Sequence, residues 1–220
     1  MIPNSYVESK RGGGYLHLQL DPATAKAFDS FTVLAPKALE QASRRAINKT
    51  LTWLRTHIAR AVGREERIAI SAIRERLKVY PVSGKNGRKG KVWFGINPLA
   101  ASRIGRPRQG AAGVSVAGRR FQGAFYQTVY GGSPDIWIRK RSRHYDADRY
   151  FVTRQDDRQI DDPLRHRFPL AKAKVDLQSV RQHFEHWAKE AEHRLKQLLQ
   201  QEVNYELHKL AGRARGGRYR

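Results

Sequence analysis

Cysteine is absent from the 220 residues, which excludes disulfide staples, thiolate zinc sites and cysteine nucleophiles, and suits a reducing compartment. No apolar run approaches the ~20 residues that span a bilayer, so no membrane partner is expected. The opening stretch from Met1 to Gly14 lacks the apolar core of a secretory signal, and the expected place of synthesis and folding is a cytoplasm. Acid is scarce: 20 Asp and Glu stand against 43 Lys and Arg, a formal charge of +23. A charge of that size repels other copies of the chain and concentrates anions, so it calls for a polyanionic partner or counter-field. Nucleic acid, an anionic membrane surface, an acidic protein and the negative wall of an assembly would each serve. Charge alone does not choose among them.

The 40% of hydrophobic residues suffices for one sizeable core. Residues 1–34 read as an irregular arm, with Gly12, Gly13 and Gly14 as a break and Tyr15, Leu16, Leu18 and Leu20 as an edge strand. From Pro36, the positions Leu39, Ala42, Ala46, Leu51, Leu54, Ile58 and Val62 recur at helical steps until Gly63. The other face of this helix carries Lys37, Arg44, Arg45, Lys49, Arg55 and Arg60, which predicts a basic solvent side. A short helix over Ile70 to Leu77, capped by Ser71, completes a helical hairpin. Lys91 to Asn97 alternates as a half-buried strand, and Val114 to Val116, Gly123 to Tyr130 and Asp135 to Arg141 read as further short strands. Between them, Gly105 to Gly113 is too rich in Gly, Arg, Pro and Gln to predict a packed element. The turn at Gly131, Gly132 and Pro134 joins the last two strands into a hairpin. From Asp176 as N-cap, Val180, Phe184, Trp187, Ala191, Leu195, Leu198, Val203, Leu207 and Leu210 predict a long helix that backs the sheet and stops at Gly212. The expected class is α+β: an N-terminal helical hairpin, a small, mostly antiparallel β-sheet with a basic flexible loop, and a long C-terminal α-helix.

Between Lys85 and Arg143 there are 13 Lys or Arg and one acid, Asp135, a net +12. On hairpins and Gly-rich loops such charges can conform to a phosphate chain and release counterions; the plainer reading is a solvated surface. The candidate contacts to nucleic acid or an acidic partner are Lys85, Arg88, Lys89, Arg103, Arg106, Arg108, Arg119, Arg120, Arg139, Lys140 and Arg141, with Arg213, Arg215, Arg218 and Arg220 of the C-terminal Gly and Arg tail. Trp93, Phe94, Phe121, Phe125, Tyr126 and Trp137 lie among these charges. They could stack on bases, but aromatics at strand spacing more often pack a core or an interface.

Three sharper chemistries fare worse. The two N-terminal helices have a helix-turn-helix look, with Arg74, Arg76 and Lys78 outward, yet base readout needs a third supporting helix. Asp146 and Asp148 lie in an acidic stretch, 144–163, that lacks the ligand spacing of an oxygen cage. Pro134-Asp135 followed by Lys140 faintly suggests a metal-dependent nuclease, but the second acid before the lysine is missing. His183 and His186, three apart on the long helix, have neither HExxH nor paired-carboxylate context, and read as neighbours of the core stripe. No catalytic, metal-binding or cofactor-binding set emerges.

The helix containing Ala46-Ile47-Asn48-Lys49-Thr50, the basic helix Ile73 to Val79, Arg119-Arg120-Phe121-Gln122-Gly123-Ala124-Phe125, and Phe168-Pro169-Leu170 before a long helix stand in an order that resembles the minor tail protein Z family of lambda-like bacteriophages and prophages. The best local signature is Phe121-Gln122-Gly123-Ala124-Phe125 followed by the Gly131-Gly132 turn and a strand ending in arginines. The resemblance implies a single tail-completion domain over 35–211, between the 1–34 arm and a basic disordered tail at 212–220. It implies a structural, non-catalytic virion protein assembled in the host cytoplasm. Its place would be the neck, at the head-proximal end of the tail, stabilising that end and connecting it to the portal vertex. The implied partners are the tail terminator, the head–tail connector, packaged DNA and further copies in a homo-oligomeric ring. The Asp-rich stretch 144–163 and the Gly-Arg end depart from the pattern and inherit no role. The alternative is a free-standing nucleic-acid-binding protein that uses the basic loop and arginine tail.

Overall fold

Helical spacing of small and branched apolar residues winds the chain into α1, Pro36–Glu65. Its buried stripe includes Ala42, Ala46, Leu51, Leu54, Ile58 and Val62, six of the seven positions that the sequence pattern selects; the seventh, Leu39, is half-buried. The computed structural model describes residues 6–9, 13–20, 35–83, 89–129, 132–151, 169–177, 180 and 182–216. Gly63 does not end α1. The helix closes two residues later with Arg67 at φ 51° and the Ile68 amide donating 3.0 Å back to the Gly63 carbonyl, a Schellman-type reversal in which the left-handed position is usually glycine. Gly63 instead makes room: a Cβ there would lie 3.0 Å from the Ile68 carbonyl oxygen.

The second helix, α2, is Ile70–Arg76. Ser71 lies inside it rather than at its N-cap, and Leu77 leaves it to begin strand β3, Leu77–Tyr80. The remaining strands are β1, Tyr6–Ser9; β2, Gly13–Leu18; β4, Gly90–Gly95; β5, Leu99–Ala100; β6, Arg108–Gly110; β7, Gly113–Val116; β8, Arg119–Gln122; β9, Phe125–Gln127; β10, Asp135–Arg139; β11, Tyr150–Phe151; and β12, Leu170–Val175. A 3-10 turn, Ala101–Arg103, follows β5. The long helix α3 is Gln182–Gly216, so it starts six residues after Asp176 and runs through Gly212. Residues 213–216 are therefore helical backbone, not tail.

The class is α+β, but the strands build three antiparallel sheets rather than one: β1-β2-β4-β3, β11-β12-β10-β9 with β5 also on β12, and β6-β7-β8. They fall into two units, one of Met1–Ala59, Arg74–Gly95 and Val180–Arg220, the other of Arg60–Ile73 and Ile96–Ser179.

In the first unit β2 is an inner strand, paired to β1 and β4, and Gly13 and Gly14 belong to it. Leu16, Leu18, Val92, Phe94 and Leu77 are buried, as period-two alternation requires. α1 closes on β4 at Gly90, where a Cβ would meet Leu51 at 2.7 Å and Ile47 at 2.9 Å. The Asn48 side chain accepts the Val82 amide at 2.8 Å, which ties the exit of β3 to the same helix. α3 approaches β1 and β2 and is pinned to α1 by charge. Arg45 donates to Glu202 at 2.5 Å and to Glu206 at 2.6 Å, and Lys49 donates to Glu202 at 2.5 Å. Arg45 and Lys49 are thus not simply part of a basic solvent face; they neutralise two carboxylates that are 6% and 3% exposed. Burial acts to raise the Glu202 carboxyl, but hydrogen bonds from Lys49 and Arg45 outweigh it and hold the group below its usual value. Trp53 of α1 packs edge-on against Trp187 of α3 at 5.9 Å, while His186 is exposed beside it.

The second unit encloses Leu99, Ile104, Val114, Val116, Phe121, Ile136, Trp137, Ile138, Tyr150, Ala173 and Val175. Its opening turn is fastened by the Ala69 amide, which donates 2.7 Å to the Ile104 carbonyl.

Candidate basic surface

The Gly-rich stretch expected to stay unpacked forms β6 and pairs with β7, with Arg108 opposite Ser115 and Gly110 opposite Gly113. Two short turns make this possible. Between β7 and β8, Ala117 and Gly118 both take positive φ, 49° and 77°, as a two-residue hairpin of right-handed strands demands. Gly113, at φ 140°, leaves no room for a side chain: a Cβ would stand 2.1 Å from the Phe121 carbonyl oxygen. Gln109 locks the hairpins to the next strand, its amide oxygen accepting the Tyr126 N–H at 2.7 Å.

The chain passes from β8 to β9 through Phe121-Gln122-Gly123-Ala124-Phe125, and the structure shows what each residue does. Phe121 and Ala124 are buried, Gly123 takes φ 67° against Ser142 and His144, and the Gly123 amide donates 2.9 Å to the Ala112 carbonyl. Phe125 emerges opposite Trp137 of β10. It lines a cleft of about 800 Å³ with Gly123, Gln127, Arg139, Arg141, Ser142 and Pro169. The turn after β10 is held by the Lys140 amide donating to the Pro169 carbonyl at 2.9 Å and the Ser142 amide to the Arg139 carbonyl at 2.8 Å. Two arginines therefore border one concavity with Phe125 and Gln127. That set suits a carboxylate or phosphate, which a guanidinium fork can grip with two parallel bonds.

The candidate contacts divide into several groups. Arg139, Lys140 and Arg141 are exposed together at this turn, and Arg106, Arg108 and Arg120 are exposed on the hairpins and the loop before them, as is Arg103 in the 3-10 turn. Arg119 is half-buried and structural: it donates 2.8 Å to the Glu66 carbonyl and 3.4 Å to the Glu66 carboxylate, placing positive charge where α1 ends. Lys89 is exposed ahead of β4 in the other unit. The charge counted along 85–143 is therefore split between two bodies rather than gathered on one loop. Arg213 and Arg215 lie on the backbone of α3; Lys85, Arg88, Arg218 and Arg220 lie outside the described residues.

Three features of this surface escaped the sequence reading. Arg149 sits 5.1 Å over the Phe121 ring and donates to the Arg120 carbonyl. Lys172 lies 4.9 Å over Trp137 and 3.8 Å from Asp135. Gln127 and Ser142 join the cleft. Their signals are single polar residues beside aromatics that only tertiary pairing brings together. Asp135, considered above as a nuclease carboxylate, receives the Ile136 amide and Lys172. Asp146 accepts the Asp148 amide in an Asx turn. Among the described residues no group of three or more His, Asp or Glu is arranged to hold a metal ion, and no helix is long and apolar enough to cross a membrane.

Among the described residues three antiparallel sheets and two long helices define an α+β protein, with exposed arginines beside one cleft. The chain belongs to the prophage minor tail protein Z family, whose model matches residues 24–213. It is a phage minor tail protein, with a structural role in the tail among other virion components. No curated protein and no solved structure matches it.

Proposed function

We propose that this protein completes the tail at its head-proximal end, stabilising that end and connecting it to the portal vertex so that the genome can pass. It acts by geometry and electrostatics, without turnover. The observation that carries the reading is the exposed arginine and lysine set around the β10 turn and the β6 to β8 hairpins, Arg106, Arg108, Arg120, Arg139, Lys140 and Arg141, in a chain of this family. Such a surface supports contact with an acidic neighbouring ring, a tail terminator or head–tail connector, or with packaged DNA. Further copies of the chain would form a ring around the channel, and α1 and α3 would brace each subunit. The test is mass spectrometry and electron microscopy of particles produced with and without the gene. Loss of infectivity with filled heads separate from malformed tails is the expected outcome. Normal infectious particles overturn the joining role and favour a free nucleic-acid-binding protein.

A further inference from the structure

The first unit carries a second surface that the joining role does not use. In the β1-β2-β4-β3 sheet, one side is core and the other is laid out in two cross-strand rows. Tyr15 stands opposite Trp93, and Trp93 opposite Lys78; His17 stands opposite Lys91, and Lys91 opposite Tyr80. The first row thus sets two rings beside a cation, and the second sets a cation between two rings. The Lys78 ammonium lies 5.7 Å from the Trp93 ring centre, and the Lys91 ammonium lies 4.9 Å from both Tyr15 and Tyr80. The indole of Trp93 lies across two glycines: a Cβ on Gly95 would meet its six-membered ring at 2.6 Å, and one on Gly13 would meet Nε1 at 3.1 Å. The missing side chains let the ring lie down on the sheet, and a ring lying down offers its face.

Among the described residues no carboxylate stands in these rows; Val7 of β1 lies opposite Tyr15 and is 44% exposed. His17 titrates below its ordinary value, first through burial and then through the charges of Lys91 and Lys89. Ring faces and interleaved cations on a four-stranded sheet match one ligand class especially well. An acidic peptide would engage the lysines and leave the rings idle, and a duplex hides its base faces. A strand with unstacked bases uses both, the bases on the rings and the phosphates on the ammonium groups.

We propose that this face of the sheet binds single-stranded nucleic acid, with Tyr15, Trp93 and Tyr80 stacking on bases and Lys78 and Lys91 meeting the backbone. A lysine that now covers a ring moves on its flexible stem to the adjacent phosphate when a base takes its place. The site stands apart from the joining role, because particle morphology tests that role and oligonucleotide binding tests this one.

The experiment is fluorescence anisotropy of a labelled oligothymidylate and of a duplex of the same length with the full chain, over a salt series. The variants are Trp93→Leu, Tyr80→Leu and the double variant Arg139→Gln/Arg141→Gln. A chain this basic will hold any nucleic acid at low salt, so the deciding quantity is the affinity that survives at high salt. The single strand is expected to bind tighter than the duplex there. Trp93→Leu should weaken it about tenfold and Tyr80→Leu about fivefold, with little change in salt slope, as loss of a stacking ring predicts. The arginine variant should lower only the slope. Should melting curves show that Trp93→Leu fails to fold, Tyr80→Leu decides, because Tyr80 is an exposed edge-strand residue. A duplex bound as tightly as the single strand, polyglutamate competing equally well, or an unchanged affinity in Tyr80→Leu would each overturn the proposal.

Discussion

Replacing Arg45 by Met tests what holds α3 against α1. The substitution keeps most of the side-chain volume and removes the guanidinium that bridges Glu202 and Glu206. Among the described residues Glu206 would then keep Lys209, 3.9 Å away, and Glu202 would keep Lys49. Breaking a fully buried pair costs about 3–5 kcal/mol, because a charge is left without a partner. Here the carboxylates are buried, but the Arg45 and Lys49 side chains are 32% and 58% exposed, so water screens part of the loss. We expect about 2–3 kcal/mol. For a chain of this length each kcal/mol moves the melting temperature by about 2–4 °C, so the variant should melt about 4–12 °C lower at neutral pH. Thermal unfolding followed by circular dichroism reads this directly. Arg44, exposed on the same helix turn, serves as the control, and Arg44→Met should change little. The pH dependence has a definite sign. The Glu202 carboxyl is held below its unfolded value, so its contribution is complete above the unfolded carboxylate range and is lost as pH falls through the lower folded value. The gap between wild type and Glu202→Gln should therefore be full at neutral pH and close in acid. An Arg45→Met protein that melts within about 1 °C of wild type would refute the argument, since a shift that small is what a weak exposed pair gives.

Other substitutions separate structural from contact residues. Arg119→Met should cost about 1–2 kcal/mol, because it removes the hydrogen bonds that Arg119 donates to the Glu66 carbonyl and carboxylate, whereas Arg120→Met should fall within about 0.5 kcal/mol of wild type; denaturant titration compares them. Ala117→Gly should raise stability by about 0.5–1 kcal/mol by relieving a left-handed alanine, while Gly113→Ala should break the β7 to β8 hairpin, and melting curves of both check the turn geometry. Phe94→Ala removes a ring that is fully buried and should cost about 3–5 kcal/mol in a denaturant titration. Arg139→Gln/Arg141→Gln should leave the melting temperature unchanged yet elute earlier from a polyanion column, since the two charges share one cleft.

The long helices were legible because burial along them is periodic. Ala42, Ala46, Leu51, Leu54, Ile58 and Val62 in α1, and Ala191, Leu195, Leu198 and Val203 in α3, are the buried residues that helical spacing picks out. Their ends were less legible. Gly63 and Gly212 look like terminators, yet α1 runs to Glu65, with its reversal at Arg67 at positive φ, and α3 runs on to Gly216, because a helix stops where its last carbonyls find other partners. Helical spacing also joins Ile73 to Leu77, but Leu77 pairs with Phe94 on β4. At four residues a helix turn and a strand start share the same apolar spacing, and the sheet decides between them. Gly105 to Gly113 was unreadable for a related reason: β6 exists through its ladder to β7 and the Gln109 bond to Tyr126, neither of which is local.

By itself the sequence determined the positive charge, the α+β class, the two long helices and the family likeness, all of which are sums or periodicities along the chain. Only tertiary structure decided which charges are spent internally and which face outward. Arg45 and Lys49 neutralise buried glutamates, Arg119 holds a helix end, and Arg139 and Arg141 meet at a cleft. The reason is physical: an arginine's role depends on the carboxylates and carbonyls within a few ångströms of it. Residues 45 and 202, 157 apart in the chain, become neighbours only when the helices pack.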